Sequence, residues 1–147
     1  MKQTDIIITS HLRKNARKSL TEITKETGIP TSTIHNKIKN MEKYIIKKFT
    51  VLLDYEQTGH HNWNITMIKI KEEQRQEFEE YTKNHPNINT MLEITNEYNY
   101  QLETVFKNLK EYADFIRELQ NKFDIEKKQE HIVLKEHKQE TFEIPEK

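Results

Sequence analysis

At 147 residues the chain has room for one ordinary domain or two small ones, with a third of its residues hydrophobic and a third charged. It has no cysteine, which excludes a disulfide framework, a thiol nucleophile and any Cys-based zinc or iron–sulfur site. The net charge of zero conceals a split: residues 1–54 carry eleven Lys and Arg against five Asp and Glu, and residues 55–147 carry thirteen against nineteen. A basic front half and an acidic back half point to one module that meets a polyanion and another that does not.

The N-terminal apolar run, Ile6 to Ile8, is too short for a signal peptide or a membrane span, and no later run is long enough to cross a bilayer. A soluble, cytoplasmic protein with no membrane partner is expected. Three short helices account for the front. The first spans about Asp5 to Lys14, with Ile8 and Leu12 four apart and Asp5 at the end where negative charge is favoured. The second starts at Ser19, where "SLTE" is a capping box between Ser19 and Glu22, and Gly28 ends it through its tolerance of positive φ. Pro30 introduces a third helix over about Thr31 to Tyr44. The following "IIKKFTVLLD" predicts a short strand or wing, and "YEQTGHHN" with Gly59 reads as a hinge.

In the back half, "NWNITMIKI" is strand-like, with Trp63, Ile65 and Met67 on one face and Ile68 and Ile70 on the other beyond a slip. A helix with Phe78 and Tyr81 inward stops at Pro86. "INTMLEIT" and "YNYQLETVF" are two strands joined around Asn96, followed by an amphipathic helix carrying Leu109, Tyr112, Ile116, Leu119 and Phe123, and then by a last strand, "HIVLK". This order predicts a βαββαβ ferredoxin-like antiparallel sheet with helices on one face. The fold class is therefore α+β, a winged helix-turn-helix followed by a ferredoxin-like domain. The expected boundaries are 1–54, a hinge over 55–62, and 63–147. Trp63, Met67 or Tyr100 on the open face of the sheet would favour pairing with a second copy, so a homodimer at least is expected.

A helical wheel divides the third helix. Ile34, Ile38, Met41 and Ile45 form a buried stripe, while Ser32, Asn36, Lys39 and Lys43 lie opposite, flanked by His35 and Asn40, with Glu42 nearer the border. A solvated face on a core helix is the plainer alternative. The preceding capped helix and the tight Gly-containing turn instead match a helix-turn-helix, whose second helix enters the major groove of double-stranded DNA. Asn can pair with adenine, and Lys can reach guanine or a phosphate. The candidate DNA-binding residues are Thr31, Ser32, Thr33, His35, Asn36, Lys37, Lys39 and Asn40 in that helix. Arg13, Lys14, Arg17, Lys18, Lys47 and Lys48 are the candidate phosphate contacts.

Asp5, Asn15, Ala16, Arg17, Ser19, Glu22, Ile23, Gly28, Ser32, Thr33, Ile34, Lys37, Ile38, Met41, Glu42, Ile45, Ile46 and Thr50 together resemble the N-terminal half of the Lrp/AsnC (feast/famine) regulators. "ITNEYNYQLETVF", "NLKEYADFIRELQNKFDI" and "HIVLKEHK" resemble that family's sensor module, so the resemblance covers essentially the whole chain. It implies a DNA-binding transcription regulator whose C-terminal domains pair into dimers and often assemble into octamers. It also implies an amino acid or related small molecule as effector, bound in this chain near Thr95, Asn96, Glu97, Tyr98, Asn99 and Tyr100. Asn96 stands where the family usually has Gly, and Asn99 where Asp is common, which removes a carboxylate partner for a ligand's ammonium group. Pro30 stands where relatives often place a capping Ser.

Two other readings stand beside the regulator. One is an architectural protein that coats DNA without sequence preference. The other is an enzyme like the sirohaem decarboxylases, which resemble this family and use histidines. His11, His35, His60, His61, His85, His131 and His137 form no convincing set by spacing, and each reads as a surface histidine. No catalytic residue, metal ligand or cofactor is assigned.

Overall fold

A computed structural model describes residues 1–145. They form two compact units, Met1–Leu52 with the tail from His137, and Leu53–Glu136.

The helical unit contains α1 (Gln3–Lys14), α2 (Leu20–Thr27) and α3 (Thr31–Met41). The capping box forms as its sequence predicts: the Glu22 amide donates to Ser19 Oγ at 3.2 Å and the Ser19 amide to Glu22 Oε2 at 2.8 Å. Gly28 takes φ +73° and closes α2 by donating to the Thr24 carbonyl at 2.8 Å. Pro30 precedes α3 without any side-chain cap, and the helix starts at Thr31. The helix ends at Met41, three residues before the predicted limit. The Met41 carbonyl receives the amides of Tyr44, Ile45 and Ile46, which turns the chain away. Ile8, Ile23, Ile34 and Met41 form the core of the unit, with Leu12, Leu20, Ile29, Ile38, Ile45 and Ile46 packed around it.

No wing strand forms among the described residues. From Ile46 to Asp54 the chain is neither helix nor strand, and Phe49, Val51, Leu52 and Leu53 are exposed. A strand needs a neighbour for its backbone ladder, and among the described residues the helical unit has no strand to pair with this run.

The second unit is built from β1 (Asn62–Ile70), α4 (Arg75–Lys83), β2 (Ile88–Glu93), β3 (Tyr100–Phe106), α5 (Leu109–Lys122) and β4 (Ile125–Ile132). The sheet is antiparallel with order β2-β3-β1-β4, as a βαββαβ chain requires. Alternation along β1 is unbroken, so the predicted slip is absent. Asn62, Asn64, Thr66, Ile68 and Ile70 all point to the helices, and Trp63, Ile65 and Met67 are half-buried on the other face. Polar residues on the inner face make the pattern look broken, and Thr66 is held there by the Tyr112 hydroxyl at 2.8 Å.

Both helices cover one face, where Phe78, Tyr112, Phe115, Ile116, Leu119 and Phe123 meet Ile68, Ile70, Tyr100, Leu102 and Phe106. Tyr100 therefore belongs to the core and not to the open face. Leu109, the first residue of α5, is 58% exposed, and Phe115 fills the stripe in its place. The last strand lies earlier than predicted: β4 is "IEKKQEHI", and residues 133–135 continue without strand structure. Its charged residues suit an edge strand, since they discourage further pairing.

The segment expected to act as a hinge is held to this second unit. Residues Glu56–Thr58 form a 3₁₀ turn closed by Gly59 at φ +77°. Tyr55 meets Trp63 edge-on at 5.1 Å, and the His61 amide donates to the Lys107 carbonyl at 3.2 Å.

Candidate nucleic-acid interface

The exposed face of α3 carries Thr31, Ser32, His35, Asn36, Lys39 and Asn40, continued by Lys43. Among the described residues, the side chains of Ser32, His35, Asn36 and Lys39 make no hydrogen bond, ion pair or ring contact. Asn40 Nδ2 lies 3.4 Å from the Tyr44 hydroxyl, and Thr31 Oγ1 lies 3.0 Å from Thr24 Oγ1, which ties the start of α3 to α2. The arrangement is a row of uncommitted donors and acceptors on a helix whose other face is locked by Ile34 and Met41, at 0% and 1% exposure. Base-edge recognition needs this combination of fixed backbone and free polar side chains.

Not every predicted contact is free. Lys37 turns back to α1, where its ammonium donates to Asp5 Oδ1 at 2.6 Å. Thr33 is half-buried at the edge of the face. Lys18 is ion-paired with Glu26 and lies 3.2 Å from His11 Nδ1. Lys37 and Lys18 are therefore struts of the helical unit, and their pairing removes them from the free cations. Arg17, Lys47 and Lys48 are exposed as expected, whereas Arg13 and Lys14 are engaged by residues 140–143. Sequence reasoning misses the role of that acidic segment. Its composition is the only hint.

The Asp5–Lys37 pair has a pH signature. The Lys37 hydrogen bond, aided by the Lys2 amide at 3.2 Å, holds the Asp5 carboxyl below its ordinary value against the opposing effect of burial. A depressed carboxyl pKa stabilises the fold above the unfolded value, about 3.9, and that stability is lost as pH falls through the folded value. Amide signals of α1 to α3, followed in urea from about pH 5 down to 2, should show the helical unit weakening more steeply than in Asp5→Asn. Parallel pH profiles for the two proteins would contradict this role.

Of the residues expected from resemblance to bind an effector, Thr95 to Asn99 lie in the β2–β3 turn and Tyr100 opens β3. Asn96 takes φ +75°, so Asn supplies the left-handed conformation that Gly usually provides. Asn99 is committed to the backbone: its Oδ1 accepts from the Ile70 amide at 2.8 Å, and its own amide donates to the Ile68 carbonyl at 2.9 Å. Glu97 pairs with Lys127, whose ammonium also sits 5.6 Å from the Tyr98 ring. Tyr100 is buried, its hydroxyl donating to Glu79 at 2.6 Å, and burial raises its pKa far above the ordinary range. Only Thr95, Asn96, Glu97 and Tyr98 direct side chains toward the surface of this turn.

The histidines do not converge. His85 is half-buried rather than fully exposed: its ring lies 4.7 Å from that of Phe115 and 6.3 Å from that of Phe106, and desolvation lowers its pKa. His61 pairs with Glu56 at 2.7 Å, and His35 stands on α3. Among the described residues no group of three His, Asp or Glu could hold a metal ion.

Residues 64–142 match the model of the Lrp/AsnC ligand binding domain, and residues 1–44 match that of a winged helix-turn-helix DNA-binding domain. The chain belongs to the Lrp/AsnC family. The HTH-type transcriptional regulator FL11 of Pyrococcus furiosus is 34% identical over 135 residues, covering 91% of this chain and 89% of that one. Among solved structures, the transcriptional regulator NMB0573 of Neisseria meningitidis, in complex with L-Met, superposes with a TM-score of 0.88 at 22% identity, covering 99% and 96% of the two chains. LrpC of Bacillus subtilis does so with 0.83 at 22%, covering 94% and 97%. As a member of the Lrp/AsnC family with this N-terminal module, the chain is a DNA-binding transcription regulator. No helix among the described residues is long and apolar enough to cross a membrane.

Proposed function

We propose that the protein reads specific duplex sites through α3, as a cytoplasmic regulator without enzymatic activity. The observation that carries this reading is the exposed row of Ser32, His35, Asn36 and Lys39 on a helix fixed by Ile34 and Met41. N-terminal residues of such a helix face base edges, while cations around it hold phosphates.

Two copies pair through the open face of the sheet. Trp63, Ile65, Met67 and Val105 stand half-buried there beside exposed Leu92, an apolar row that water disfavours. A two-fold dimer presents two copies of α3 to successive major grooves of a roughly palindromic site. An amino acid or similar ligand as effector, and assembly of dimers into octamers, extend this reading. The effector is proposed at the turn of Thr95 to Tyr98, since Asn99 and Tyr100 are committed to the fold.

Lys48 is exposed and its side chain has no partner among the described residues. Lys48→Ala should weaken selected and scrambled duplexes by the same factor, and should reduce the slope of log Kd against log salt by about one per subunit. Affinity measured over a salt series checks this. A loss confined to the selected duplex would make Lys48 a base contact and contradict the assignment.

A further inference from the structure

The tail closes on α1. The Arg13 guanidinium donates Nη2–H to the Glu140 carbonyl at 2.7 Å, Nε–H to the Phe142 carbonyl at 3.0 Å and Nη1–H to Glu140 Oε2 at 3.3 Å. Lys14 Nζ lies 3.7 Å from Glu143 Oε1. A planar fork filled by several oxygens is the mode in which arginine also takes a phosphate. The tail adopts this shape through a left-handed Glu140 at φ +50°, a conformation that a Glu side chain disfavours. That turn brings the carbonyls of Glu140 and Phe142 onto one guanidinium.

The site stands at the edge of the DNA-reading module. Along α1, Asp5 meets Lys37 and, four residues on, Thr9 meets Met41. Arg13 lies a further step of four along α1, and Lys43, Lys47 and Lys48 are exposed in the segment that follows α3.

We propose that Arg13 and Lys14 form a docking surface for an acidic extended segment, that its occupant is the chain's own residues 140–143, and that this segment competes there with DNA phosphate. The proposal rests on the reading of the helical unit as a DNA reader. Docked, the tail uses the guanidinium that a phosphate would use, so the tail-lifted form binds duplex more tightly.

Two substitutions in the full chain separate conformation from charge. Glu140→Pro and Glu140→Gly remove the same carboxylate. Proline fixes φ near −65° and cannot adopt the docked turn, whereas glycine adopts positive φ freely. With affinities for one 30-base-pair duplex measured at a single low salt concentration, Glu140→Pro should bind about three- to tenfold more tightly than Glu140→Gly. That difference should disappear when Arg13→Ala is added to both. Amide spectra of α1 to α3 confirm that each variant is folded. Equal affinities of the proline and glycine variants, with wild type binding normally, overturn the competition and leave the DNA reading intact. A wild type that binds no duplex even at low salt overturns both.

Discussion

Asn36→Ala should reduce discrimination between the preferred site and a scrambled duplex while leaving the fold unchanged. Asn36 is exposed at the middle of α3, and its carboxamide has no partner among the described residues, so its removal costs the folded chain nothing that the structure shows. In the major groove a carboxamide can meet adenine through two hydrogen bonds, a pair worth about 1–3 kcal/mol of discrimination. A dimer makes that contact twice. Affinity for the scrambled duplex, which depends on phosphates, should hardly change.

Ile34→Ala should uncouple the two units. Ile34 is fully buried in a core whose buried members among the described residues are Ile8, Ile23, Ile34 and Met41. Truncating a buried isoleucine costs about 2–5 kcal/mol, and a unit this small has little stability to lose. The helical unit should melt well below wild type, and DNA binding should go with it. The sheet unit has its own core of eleven buried residues and should persist. Two-probe thermal melts, with Trp63 fluorescence for the sheet and amide signals of α1 to α3 for the helices, check this. A single coincident transition at the wild-type temperature would contradict the assignment of Ile34 to a separate core.

Features set by near neighbours along the chain are legible in the sequence alone. Ser19 and Glu22 announce the start of α2, Gly28 its end, and the isoleucine spacing in α3 its buried side. The order of strands and helices is enough for the sheet, because a βαββαβ chain has few ways to close. Features set by distant partners are not legible. Nothing near Lys37 says that its ammonium belongs to Asp5, 32 residues away, so a basic residue on the reading helix looks available. Nothing near Arg13 says that Glu140 will reach it. β4 escapes a sequence reading because "IEKKQEHI" is held as a strand by pairing with β1 from Asn64 to Ile70, whereas "HIVLK" carries the stronger local β signal. The run from Ile46 to Asp54 is the converse, a strand-like sequence that finds no strand to pair with among the described residues.

The candidate DNA face divides on the same principle. The wheel places Ser32, His35, Asn36 and Lys39 outward correctly because helical geometry alone decides direction. Whether a cation is free depends on tertiary pairing, and Lys18, Lys37 and Arg13 are all engaged.

Whether α3 reads base edges is decided by a ratio of two affinities. The dissociation constants for a duplex selected from a random pool and for a scrambled duplex of equal length are taken at one salt concentration, for wild type and Asn36→Ala side by side. The reading-helix account predicts a wild-type preference that shrinks about tenfold or more in the variant, with the scrambled-duplex constant nearly unchanged. An identical ratio in the two proteins, or a wild type with no preference between the duplexes, would contradict it.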